Sequence, residues 1–416
     1  MKNLYIFLCV LCVGVLGCRK ETTPGSNGTD ELISITFTTP GVTATIDQSA
    51  GTVKVTIPPG TDPTQLVPVV KAAGNASATL PAGTALDFSI AQQFTITAAD
   101  GTSKTYTYTP TLPVASVKDK PTAPLALGIY YAWPSAVNGS NGDINKAIAV
   151  FAQFDILVFG DQIWRTTHGD YANAKQIIAG LKAAKPTIKI YGYIDMGITT
   201  QNLSVADITA AVDGWQAMGV TGVFGHNFGS DFQVTRARQN QLIDYAHSKS
   251  LSVFANAYNP ADALGGTDCH LGAGDYYLLE HLLVGPTAYN TLADFKSRGD
   301  HAYYYMKTLH IGVATTATVP SLDETSANSD QFLMGWYGTA MYNFDAYQFS
   351  DSNYSSTSSQ LNYYAAPISN YGTRWKQTDW INQTATNSFS RSTDTYTLTI
   401  TGDGATTGTG TAAKLN

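Results

Sequence analysis

The chain has 416 residues, of which 44% are hydrophobic and only 13% charged, with 31 acidic and 24 basic side chains. That length holds two or three domains with full cores, and 37 glycines suit β-rich or α/β structure better than a coiled coil or a disordered chain. A net charge of −7 argues against nucleic acid as a partner, because a phosphate backbone rewards an excess of Lys and Arg.

Met1-Lys2-Asn3 is a short basic start, followed by an apolar run from Leu4 to Leu16 broken only by Gly14. The run is too short for a membrane span, which needs about 20 residues, and reads as the core of a signal peptide. It ends in Val15-Leu16-Gly17-Cys18, which resembles the bacterial lipobox. The resemblance implies a lipoprotein signal peptide over 1–17 and lipidation of Cys18, with residues 18–30 as a polar, Gly/Ser/Thr-rich tether. Cys9 and Cys12 would leave with the signal, so Cys269 remains as a lone thiol and no disulfide framework is expected. The expected location is the bacterial cell envelope, lipid-anchored at the outer membrane, with the facing left open.

Residues 31–112 alternate in short β-branched runs: Ile33–Phe37, Val42–Ile46, Val53–Ile57, Phe94–Ala98 and Tyr106–Thr109. Pro58-Pro59-Gly60, Pro81-Ala82-Gly83 and Asp100-Gly101 punctuate them. The spacing predicts a small β-sandwich, and the pattern resembles the immunoglobulin-like modules of Bacteroidota surface lipoproteins, which implies a spacer. Residues 113–124, rich in proline, form the linker.

From Leu125 onward strands alternate with helical stretches. The expected strands are Leu127–Ala132, Ile156–Phe159, Lys189–Tyr193, Gly222–Phe224, Ser252–Ala255, Tyr276–Leu279, Ala302–Tyr305 and Ala340–Phe344. The expected helices are Ile144–Phe151, Ala172–Ala184, Val205–Met218, Arg236–Lys249, Tyr289–Arg298 and Asp330–Gly338. Eight such repeats over roughly 250 residues predict a (β/α)8 TIM barrel, assigned to residues 125–381. A Gly-rich phosphate loop, which would favour an open doubly wound sheet, does not follow the first strand. Beyond the last strand the reading is a long polar loop, a final helix through Trp375 and Trp380, and a C-terminal extension over 382–416 with a strand at Tyr396–Ile400.

TIM-barrel chemistry sits where strands end, so the polar residues after each strand are the candidates. In chain order they are Trp133, Asp161, Asp195, His226 with Asn227 and Asp231, Asn256 with Asn259, Glu280 with His281, Lys307, and Asp345. Five carboxylates on one rim, with Trp133 and Trp164 as aromatic platforms, suit glycoside hydrolysis: one carboxyl protonates the leaving oxygen and another attacks the sugar or activates water. Arg236 is a candidate to hold a rim carboxylate such as Asp231. The histidines form no HxH or HExxH pair, so neither metal nor cofactor is expected. Cys269, in a Gly-rich loop, reads as incidental.

Ile190–Gly197, Trp215–Phe224, Phe228–Asp231, Thr235–Asn240, Phe254–Pro260 and Asp275–Glu280 occur in an order that resembles the spherulin-4 / endo-α-1,4-polygalactosaminidase group of TIM-barrel glycosidases (glycoside hydrolase family 114-like). The resemblance implies a polysaccharide or oligosaccharide partner, including amino-sugar polymers, and makes Glu280 the general acid/base. It also implies a carboxylate directly after strand four, where this chain has His226-Asn227 instead. Three readings stay open there. Asp231 supplies the second carboxylate, Asp195 or Asp161 takes its place, or catalysis is lost and the cleft only binds glycan.

Overall fold

The computed structural model describes residues 29–39, 42–57, 66–81, 83–86, 88, 92–111, 120–322, 329–351, 356–376 and 381–416. The signal peptide, Cys18, the tether up to residue 28, most of the linker, the Pro58-Pro59-Gly60 turn and Trp380 lie outside the described residues. Among the described residues no helix is long and apolar enough to cross a membrane.

The N-terminal region is all β. Its strands are β1 (Leu32–Phe37), β2 (Thr43–Asp47), β3 (Thr52–Thr56), β4 (Pro68–Ala72), β5 (Ser77–Ala78), β6 (Gln92–Thr97) and β7 (Ser103–Thr111). β1 and β4 pair as a two-stranded ribbon, and the others form a sheet in the order β2-β3-β7-β6-β5. Every pair is antiparallel except β3 with β7. Alternation buries Val53, Val55, Phe94, Ile96, Tyr106 and Tyr108 with Leu32, Ile35 and Phe88 in one core. Buried Tyr106 spans the module: its hydroxyl accepts from the Leu32 amide at 3.0 Å and donates to Gln48 at 2.6 Å.

The following eight strands are β8 (Leu125–Tyr130), β9 (Ile156–Phe159), β10 (Lys189–Asp195), β11 (Gly222–His226), β12 (Ser252–Asn256), β13 (Tyr276–Leu279), β14 (Gly312–Val319) and β15 (Ala346–Asp351). All are parallel, each pairs with the next, and β15 pairs back onto β8, which closes a TIM-type barrel. Between them run α1 (Ile144–Phe151), α2 (Tyr171–Ala184), α3 (Val205–Met218), α4 (Arg236–Ser248), α5 (Pro260–Leu264), α6 (Leu292–Leu309) and α7 (Asp330–Met341). Polar side chains start all of them but α2, on the strand-end side of the barrel. Ser204 and Asp207 cap the first turn of α3 reciprocally, and Thr235, Thr291 and Ser329 accept the amide three residues on in α4, α6 and α7. Strand residues facing inward, among them Ile129, Val158, Tyr191, Phe224, Phe254 and Leu278, fill the barrel interior. Those facing outward pack against the helices.

The last two strands depart from the sequence reading. Ala302–Tyr305 lies inside α6, where Leu292, Phe295, Gly299, Ala302 and Tyr303 recur at helical spacing and are buried. Ala340–Phe344 covers the end of α7 and the turn at Asn343, whose φ is 58°. The true seventh strand is threonine-rich and fully packed: Thr315 shares a 2.6 Å hydrogen bond with Thr339 of α7. β-branched threonines suit a strand once their hydroxyls find partners. Two rim assignments fall with this shift. Lys307 belongs to α6, and Asp345 precedes β15, at the opposite end of the barrel. There Asp345 accepts the Val313 amide through its carboxylate at 2.9 Å and the Leu125 amide through its carbonyl at 2.8 Å.

The described residues after β15 contain no eighth helix and none through Trp375. Instead β16 (Asn382–Ala385), β17 (Ser388–Ser392), β18 (Tyr396–Gly402) and β19 (Gly408–Lys414) form an antiparallel sheet that packs on α7. Phe389, Leu398 and Ile400 join the outer barrel core. Buried Arg391 stacks 3.8 Å from the Trp375 ring and donates to the Met341 carbonyl at the end of α7. Close approach depends on Gly410, where a Cβ would come within 2.5 Å of the Leu333 carbonyl and 2.7 Å of the Tyr337 ring. Gly410→Val is therefore expected to destabilise the chain by about 1–3 kcal/mol through overpacking. An unchanged thermal midpoint would contradict this packing.

Candidate functional site

Side chains two residues apart share a strand face. Because Tyr191, Phe224, Phe254 and Leu278 fill the interior, alternation carries Asp195, His226, Asn256 and Glu280 to the same inward side at or just past the ends of β10 to β13. Asp195 and His226 are direct register partners. Four consecutive strands thus deliver a carboxylate, an imidazole, a carboxamide and a second carboxylate to one mouth.

Glu280 is half-buried. Loss of solvent raises its carboxyl above the usual range, while a hydrogen bond from Asn256 and the charge of Arg298 oppose the rise. Arg298, on α6, grips the turn that carries it: the guanidinium donates to the Glu280 carbonyl at 2.6 Å and the His281 carbonyl at 3.0 Å. His281 has a φ of 49°, and its amide and ring are held by Thr316 at 3.1 Å and Thr318 at 3.0 Å.

Asp195 is the second inward carboxylate, only 4% exposed. One oxygen accepts from the Gly197 amide at 2.8 Å and Thr200 at 2.6 Å, and the other accepts from Asn227 at 3.2 Å. Asn227, a strand-end candidate from sequence, is therefore turned onto Asp195, in a left-handed conformation with φ 53°. The Tyr193 hydroxyl lies 2.9 Å from His226 Nδ1 and interacts with Asp195. Burial beside Tyr193, Phe224 and Tyr131 pushes the His226 imidazole down to about 4, with Asp195 opposing.

The other candidates separate. Asp161 sits at the rim and accepts from Gln201 at 2.7 Å. Trp133, 51% exposed, rests against Gly169 and meets His168 edge-on at 5.5 Å. Fully buried Asp170 fixes its loop, accepting from the Ser135 amide at 2.9 Å, the Ser135 hydroxyl at 2.5 Å and Asn173 at 2.9 Å. Asp170→Ala should strand those donors at a cost of about 1–3 kcal/mol and expose the Trp133 loop to limited proteolysis. Equal resistance to protease in variant and wild type would refute the anchor.

Asp231 is exposed on the short 3-10 turn Ser230–Phe232, beyond the inward register of β11. Trp164 lies down on α3, against Gly214 and under Arg165, so it is no mouth platform. Arg236 does not reach Asp231; its guanidinium binds the Ala263 and Gly265 carbonyls, each at 2.6 Å, at the end of α5. Asn259 caps α5 through the Ala261 amide at 3.1 Å. Cys269 is half-buried, donates to the Ala263 carbonyl, and burial raises its thiol. Among the described residues no group of three His, Cys, Asp or Glu side chains is placed to hold a metal ion.

Sequence reasoning missed Tyr193, Arg298, Asp170 and Thr200. Tyr193 alone carried a signal, standing two residues before Asp195 on the same face. Arg298 and Asp170 act from distant segments, and nothing in their local sequence marks them.

Residues 33–109 match the SGBP N-terminal domain, the N-terminal module of surface glycan-binding proteins. A candidate glycoside hydrolase of Bacteroides thetaiotaomicron is 30% identical over 24% of this chain, which spans only 30% of that protein, with a TM-score of 0.19. The glycoside hydrolase domain of PelA from Pseudomonas aeruginosa is similar at 11% identity over 57% of this chain and 99% of that domain, with a TM-score of 0.35. A further glycoside hydrolase is similar at 8% identity over 68% of this chain and 82% of its own, with a TM-score of 0.44. No curated protein matches the chain.

Proposed function

We propose that this protein is a lipid-anchored envelope protein whose barrel mouth acts on extracellular polysaccharide, an amino-sugar polymer in particular, as a glycoside hydrolase. The observation that carries the reading is the contrast between the two inward carboxyls. Glu280 is desolvated, which favours the protonated form that a general acid needs, whereas Asp195 is surrounded by donors that suit a carboxylate. Glu280 would protonate the glycosidic oxygen, and Asp195 would stabilise the developing positive charge or activate the second reactant. Placement of an SGBP-type module ahead of the barrel supports a glycan partner. Cys18 would supply the lipid that holds the chain at the membrane, a role for [³H]palmitate labelling of wild type and Cys18→Ala to test.

A second reading is favoured by one observation: His226 and Asn227 stand where the resembling glycosidases carry an acid, and Asn227 is spent on Asp195. On that reading the cleft binds glycan without turning it over. Product release and equilibrium binding on galactosaminogalactan and a glycan panel decide between them. Reducing ends released by wild type support the hydrolase, binding without release supports the binder, and neither would sink both.

A further inference from the structure

Tyr258 is 68% exposed, more than any other large hydrophobic side chain among the described residues, yet the backbone on either side of it is tied down. The Ala257 carbonyl accepts from the buried Tyr277 hydroxyl at 2.5 Å, and the Asn256 carbonyl accepts from the Phe228 amide at 2.9 Å. Asn259, next along, is tied down as the cap of α5. An exposed aromatic ring between tethered neighbours loses less conformational freedom when a ligand covers it than one on an untethered loop.

The ring is also oriented. The Arg298 guanidinium lies 4.9 Å from its centroid, a cation–π contact that holds the ring from one side. The same guanidinium donates to the Glu280 and His281 carbonyls. One side chain therefore joins an open aromatic ring to the backbone of the expected acid. Across the mouth, Trp133 follows β8, and Tyr258 follows β12, half way round the barrel.

We infer that Tyr258, seated on Arg298, is a sugar-stacking platform that forms the subsite beside Glu280. Its ligand is a pyranose ring with an apolar C–H face, which packs on the aromatic ring as a hydrophobic surface. Trp133 then receives a more distant residue of the same chain. Arg298 acts as a positioning residue that sets the distance between the stacked sugar and the acid. This inference rests on the mouth being a glycan cleft.

The test is calorimetric binding of N-acetylgalactosamine, galactosamine and N-acetylglucosamine hexamers in the full chain carrying Glu280→Gln, so that turnover cannot consume the probe. Adding Tyr258→Ala should weaken the hexamer that binds by roughly ten- to a hundred-fold, with the thermal midpoint unchanged because the side chain is exposed. Tyr258→Phe should bind within about threefold of the parent, since the platform rather than the hydroxyl carries the contact. Unchanged affinity in Tyr258→Ala, with a parent that does bind, overturns the platform and leaves the glycan cleft standing. A parent that binds none of the three hexamers overturns the cleft and the platform together.

Discussion

Glu280→Gln is expected to lower the release of reducing ends by roughly 10²–10⁴-fold, the range set by loss of a general acid. Binding of the same glycan should stay within about threefold, because Gln keeps the volume and can still accept from Asn256. The pH profile carries the same signature. Burial raises the Glu280 carboxyl, so wild-type activity should persist above the ordinary carboxylate range and fall as pH climbs through the raised value, where the acid form is lost. Asp195→Asn differs in kind. It places an amide against the Gly197 amide, Thr200 and Asn227, so a donor faces donors. That variant should lose stability as well as turnover, whereas Glu280→Gln should lose turnover alone. Full activity in Glu280→Gln would remove Glu280 from the chemistry. Binding by wild type with no turnover by any form would select the second reading.

The barrel was legible because its first six strands are short runs of aliphatic and aromatic residues, each followed by a helix, all but α2 with a side-chain cap. Parallel strands buried on both faces need such runs. It became illegible where composition and environment part company. Tyr303-Tyr304-Tyr305 has strand-forming residue types, but its neighbours give it a helical face. Thr315, Thr316 and Thr318 look like surface, but partners on α7, in the turn after β13 and on β15 satisfy their hydroxyls. Within the site, strand-end position singled out Asp195, His226, Asn256 and Glu280 from sequence, but only among a longer set that included Asp161, Asp231, Lys307 and Asp345. It could not show that Asn227 would turn onto Asp195, or that Arg236 and Asn259 would be used up in holding α5. Those assignments depend on loop geometry, which local periodicity does not encode. The low fraction of charge helped, since the few acids at strand ends were easy to single out, and it misled at Asp345, which sits before its strand.

Acidification is expected to cost about 3 kcal/mol of stability through His226 alone. In the folded chain burial lowers this imidazole from the ordinary 6.5 to about 4, while the unfolded chain leaves it exposed. Between these values the unfolded state binds more protons, so stability rises with pH across the window. The contribution is fully present above the unfolded value of 6.5 and is lost as pH falls through the folded value near 4. Other groups titrate over the same range, so the measurement is a difference of differences: urea unfolding of wild type and His226→Gln at pH 7 and pH 4. The glutamine keeps a polar contact to Tyr193 but cannot ionise, and its loss on acidification should be smaller than that of wild type by about 3 kcal/mol. Equal losses would mean that the imidazole is solvated, and the account of the mouth as a desolvated cleft would fail with it. The same displacement defines what His226 can do. An imidazole that protonates only near pH 4 is neutral at physiological pH and too weak a base to take a proton from water or sugar there. It stands where the family resemblance implies a carboxylate, and its Nδ1 shares a hydrogen bond with the Tyr193 hydroxyl. On the proposed hydrolase reading turnover runs through Asp195 and Glu280, and a preparation in which Asp195→Asn remained active would exclude that route.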